Sequence, residues 1–66
     1  MTKQEALIAL NNGEKLTYEN FYSFEWVKKK DNDNYVFEDG VVCPIAEFWI
    51  HRTDPRWETG WSIFKD

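Results

Sequence analysis

With Cys43 as its one cysteine, this 66-residue chain has no internal disulfide to hold it together. That constrains the fold more than anything else in the sequence. A domain of this size buries only about 60% of the surface its unfolded chain exposes, so it needs a metal, self-association or an unusually dense core. Cys43 and the single histidine, His51, are too few ligands for a closed zinc site. Rings remain: four Trp, three Tyr and five Phe make up 18% of the chain. They exceed what one small core encloses, and the expectation is a single domain over 1–66 that forms a homo-oligomer, with surplus rings at a subunit interface or a pocket.

Local signals place the elements. Thr2 followed by Glu5 reads as a capping box, and Ala6, Leu7 and Leu10 recur at helical spacing, so a helix is expected from Lys3 to Asn11 with Asn12-Gly13 as its stop. A short strand should end near Tyr18. Phe24 and Trp26 alternate with Glu25 and Val27 as in a strand, Asp31–Asn34 is a turn, and Tyr35–Glu38 returns as the hairpin partner. Asp39-Gly40 signals a two-residue hairpin leading into Val41–Cys43. Pro44 presets a first helical turn, after which Ile45, Phe48, Trp49 and Arg52 follow at helical spacing, and the helix should end before Pro55. Thr59-Gly60 then turns into a last strand over Trp61–Phe64. The sum is a small α+β domain, an antiparallel sheet of four or five strands with two short helices.

The formal net charge of -4 argues against a protein that coats nucleic acid through its phosphates. The opening MTKQEALIAL lacks the basic, apolar and small-residue parts of a signal peptide, and no stretch approaches the ~20 apolar residues of a membrane span. An unpaired cysteine then makes the cytoplasm the expected compartment.

No catalytic pattern is present. Cys43 and His51 have no evident third partner, so no enzyme, cofactor or metal is expected. Asp31 and Asp33 resemble the start of a calcium loop, but Val36 and Val42 stand where glycine and glutamate are required. The concentrated feature is FWIHRTDPRWETGW, which holds both arginines and three of the four tryptophans. Guanidinium forks meet phosphate oxygens and indoles stack on bases, so Trp49, Arg52, Arg56, Trp57 and Trp61 are candidate ligand-binding residues, with Tyr18 or Phe21 from a second wall.

The opening EALIAL followed by NNGEKL, the central hairpin and the closing GWSIF resemble small bacteriophage accessory proteins, and the element order is similar to the anti-Thoeris sponges, which sequester a cyclic ADP-ribose signal. Members of that family follow the first strand with basic residues and a tryptophan. Here Thr17, Tyr18, Glu19, Asn20 and Phe21 occupy that region, leaving Phe21 as the nearest aromatic equivalent. The resemblance implies a nonenzymatic counter-defence protein, in the host cytoplasm if phage-encoded, that captures a cyclic ADP-ribose-type or oligonucleotide signal. The alternative is an acidic inhibitor that binds a host nuclease or other defence protein directly, favoured if Glu19, Glu25, Glu38 and Asp39 share a face.

Overall fold

The computed structural model describes residues 1–65, and its elements run α1 (Lys3–Asn11), β1 (Leu16–Tyr18), β2 (Val27–Lys29), β3 (Asn34–Phe37), β4 (Val42–Pro44), α2 (Ile45–Ile50), a 3-10 turn (Pro55–Glu58) and β5 (Trp61–Ile63). The five strands form one antiparallel sheet in the order β4-β3-β2-β1-β5, so β2, β3 and β4 are a meander and β5 adds to the far side of β1. This is the expected α+β architecture. No helix among the described residues is long and apolar enough to cross a membrane.

The capping box forms as read: the Glu5 N–H donates to the Thr2 hydroxyl and the Thr2 N–H donates to the Glu5 carboxylate, at 3.1 and 2.8 Å. These bonds satisfy two of the donors that a helix start leaves open. Helix α1 then buries Ala6, Ala9 and Leu10 against the sheet. From the sheet come Leu16 and Tyr18 of β1, Val27 of β2, Tyr35 of β3 and Trp61 of β5, and Phe48 of α2 completes the core. Both helices therefore lie on one face. Because side chains alternate along a strand, Thr17, Lys28, Val36 and Ser62 fall on the other face, which no helix covers.

Several boundaries differ from the sequence expectation. Strand β2 begins only at Val27, because residues 22–25 close a turn in which the Glu25 N–H donates to the Tyr22 carbonyl and the Tyr22 N–H donates to the Glu25 carboxylate. The Asp39-Gly40 hairpin has three loop residues rather than two. Phe37 and Val41 are its closing pair, the Phe37 N–H donating to the Val41 carbonyl, and Gly40 takes the left-handed conformation, φ +86°, that such a loop needs at its last position. Pro44 belongs to β4 and precedes α2 rather than opening it, and α2 stops at Ile50, so Arg52 lies beyond the helix. The structure adds a 3-10 turn over Pro55–Glu58, and the N-terminal amine donates to the Trp61 carbonyl at 2.8 Å, tying the start of the chain to β5.

Candidate functional site

The seven residues expected to bind a ligand divide into a buried set and a surface set. Tyr18 and Trp61 face each other across the β1–β5 pair and are only 2% exposed. The indole N–H of Trp61 donates to the Trp57 carbonyl at 2.9 Å, and the Tyr18 hydroxyl donates to the Arg56 carbonyl. Burial raises the Tyr18 pKa above its ordinary value; Glu19 adds to the rise and Arg56 opposes it. Two core side chains thus hold down the backbone of the 3-10 turn, with the Trp57 ring lying 4.3 Å from the Tyr18 ring. Phe21, half-buried, packs its ring 5.9 Å from Tyr18 and 6.2 Å from Trp61.

Trp49 is half-buried and donates its indole N–H to the Tyr35 hydroxyl at 2.9 Å, with the Lys3 ammonium 4.9 Å above its ring. Burial also raises the Tyr35 pKa, against the effect of the Trp49 bond. Helical spacing and a shared ligand-binding role make Trp49 and Arg52 expected neighbours at one site. The Arg52 guanidinium turns back instead, donating from Nη1 to the Phe48 carbonyl at 2.9 Å and lying 3.9 Å from the Phe48 ring and 5.1 Å from that of Trp57.

Electrostatically, Arg52 stands apart. Its Nε is buried without a hydrogen-bond partner, and burial lowers the guanidinium pKa, an effect partly countered by the nearby Cys43 thiol. Among the described residues no carboxylate acts on it. Arg52 as a whole is half-buried, and a partly desolvated charge without a counter-ion among the described residues is costly, so the slot between Phe48 and Trp57 holds a cation that one oxyanion would neutralise. Arg56 is different: its side chain is 63% exposed and pairs with Asp54 at 3.3 Å.

Arg52, Trp57 and Arg56 are thus neighbours along one stretch of surface, whereas Tyr18 and Trp61 lie beneath it. No pocket forms among the described residues. His51 is exposed and Cys43 half-buried. Among the described residues no three His, Cys, Asp or Glu side chains are grouped so as to hold a metal ion.

One feature was missed in the sequence. Tyr22 and Phe24 are 71% and 63% exposed, and their rings stack nearly parallel, 5° apart in plane and 5.7 Å between centroids. The available signal was their setting, since Glu19, Asn20, Ser23 and Glu25 surround them with residues that do not build a core. Compared with known proteins, the chain matches no family model, no curated protein and no solved structure.

Proposed function

We propose that the chain is a nonenzymatic counter-defence protein that sequesters a cyclic, phosphate-bearing nucleotide signal. The observation that carries this reading is the Arg52 guanidinium, held between two aromatic rings with no carboxylate among the described residues to balance it. A phosphate oxygen would supply the missing charge, the exposed Arg56 would add a second contact, and the uncovered parts of Trp57 and Trp49 would offer stacking surface. Since one copy of the described residues forms no pocket, a second copy of the chain would close the site against water. Tyr18, Phe21 and Trp61 then act from below, by fixing the 3-10 turn that presents Arg56 and Trp57.

The test is calorimetry with cyclic ADP-ribose isomers and cyclic di- and trinucleotides, run beside light scattering. Arg52→Ala should weaken binding by roughly ten- to over a hundred-fold, because a charge-assisted hydrogen bond contributes about 1.5 to 3 kcal/mol. Arg56→Ala should cost less, its charge being exposed and shared with Asp54. Monomeric protein that binds none of these nucleotides below millimolar concentration would end this reading.

A second reading, an inhibitor that binds a host defence protein directly, is favoured by where the chain carries its acids. The 19–26 connection leaves β1 and enters β2 at the end of the sheet where β3 runs into the 38–41 turn. Glu19, Glu25, Glu38 and Asp39 therefore gather at that end.

A further inference from the structure

The same end of the sheet carries the two most exposed aromatic rings, and its construction sets it apart from a loose loop. At its entrance the Phe21 N–H donates to the Tyr18 carbonyl at 2.9 Å, and the Phe21 ring is anchored on Tyr18 and Trp61. The next residues close the reciprocal Tyr22–Glu25 turn, with both bonds at 3.0 Å. Tyr22 and Phe24 project from this braced turn, stacked on each other. At the same end of the sheet, the 38–41 turn is braced by the Val41 N–H donating to the Asp39 carboxylate at 3.0 Å, and it presents Val41 at 55% exposed.

We infer that the Tyr22–Phe24 pair is the anchor of a protein-docking surface whose partner is a basic protein groove with an apolar recess. Rigid exposed rings lose little entropy on binding and fit the central position of an interface, where aromatic residues carry most of the energy. Glu19 and Glu25 flank the pair in the chain, and Glu38 and Asp39 lie in the turn at the same end of the sheet, so this end carries four carboxylates, and charge complementarity selects a partner that sets lysines and arginines about an apolar depression. A groove built to hold a nucleic acid strand has this chemistry, its cations spaced for phosphates and its apolar positions for bases. The inference rests on the direct-inhibitor reading and is independent of nucleotide capture.

Isotope-labelled protein titrated with two short synthetic peptides, one alternating arginine with leucine and one alternating arginine with glycine, tests it by NMR. The arginine–leucine peptide should shift resonances in the 19–26 and 38–41 segments and bind the more tightly. Replacing both rings, Tyr22→Ser with Phe24→Ser, should weaken that peptide by about tenfold or more, leave the arginine–glycine peptide unchanged, and keep the thermal midpoint, since both rings are exposed. Shifts at this end with unchanged affinity in the double variant would overturn the anchor while leaving direct inhibition standing. If neither peptide shifts these segments, or if the shifts lie elsewhere, both the anchor and the direct-inhibitor reading fail.

Discussion

Replacing Trp61 with alanine separates a core tryptophan from a binding one. The side chain is 2% exposed, and five rings surround it, those of Tyr18, Trp49, Trp57, Phe21 and Phe48, with centroids between 4.8 and 6.3 Å away. Truncating a buried aromatic to alanine costs about 3 to 5 kcal/mol in lost transfer energy and unfilled volume. Domains of this length are stable by only about 3 to 10 kcal/mol. Trp61→Ala should therefore lose from about a third to all of the folding free energy and in the worst case leave the chain unfolded at room temperature. Trp61→Phe keeps most of the packing but leaves the Trp57 carbonyl without its indole donor, so a loss of about 1 to 3 kcal/mol is expected. Urea unfolding followed by far-ultraviolet circular dichroism measures both, and the phenylalanine variant stays quantifiable if the alanine variant is too unstable. A loss below about 1 kcal/mol for Trp61→Ala, with an unchanged dependence on urea, would refute a core role and return Trp61 to the surface site.

Gly60→Ala should lower the thermal midpoint. The glycine sits at φ +96°, and an added Cβ would lie 2.9 Å from Cδ of Glu19 and 3.1 Å from Cε1 of the buried Tyr18 ring. The Glu19 side chain can swing away but the Tyr18 ring cannot, so a cost of about 1 to 3 kcal/mol follows, or several degrees at this size; a variant as stable as the parent contradicts it. Acid should destabilise the protein through Glu5 and Asp31. The Thr2 backbone N–H, with help from its side chain, holds the Glu5 pKa below 4.5, and the Asp33 N–H foremost holds the Asp31 pKa below 3.8. A carboxylate whose folded pKa is depressed stabilises the fold fully above its unfolded pKa and loses that contribution as pH falls through the folded value. Urea midpoints should thus be level near neutrality and fall below pH 4.5. Glu5→Gln should show a shallower fall, and an equally steep one would exclude the capping carboxylate as a source.

What was legible in the sequence was what neighbours decide. The capping box needs only Thr2 and Glu5 three residues apart, and the 31–34 turn is braced by an Asp31 carboxylate that accepts from the Asp33 N–H at 2.8 Å. The start of β2 is not legible in the sequence because Phe24 and Trp26 alternate like strand residues, whereas the backbone and side-chain bonds between Tyr22 and Glu25 close a turn first. Had the strand begun at Phe24, its alternation would have sent Phe24 and Trp26 to the face opposite Val27. Trp26 keeps to that pattern, its ring centre 4.6 Å from the ammonium of Lys15, which alternates with the buried Leu16, while Val27 is fully buried; the turn takes only Phe24 out of the alternation. The candidate site was harder still. Tyr18 and Trp61 are forty-three positions apart in the chain, and only the β1–β5 register, Tyr18 opposite Trp61, makes them one buried pair. In the sequence, a tryptophan that becomes core and one that stays half-exposed, as Trp61 and Trp57 do, look alike.

Those two tryptophans also bear on why Arg52 is an arginine. Its stem and guanidinium fill the slot between Phe48 and Trp57, a packing task that methionine, flexible and similar in length, would perform without a charge to desolvate. The arginine gains one hydrogen bond to the Phe48 carbonyl and two contacts with ring faces, but among the described residues it leaves Nε buried without a partner and has no carboxylate beside it. Lost and gained contributions in an exchange to methionine are each about 1 to 3 kcal/mol and opposite in sign, so stability alone gives little reason for the positive charge. Arg52→Met should accordingly stay within about 1 kcal/mol of the parent in urea unfolding while losing nucleotide affinity as fully as Arg52→Ala. A methionine variant that unfolds far more readily would make Arg52 a structural cation and remove the observation on which nucleotide capture rests.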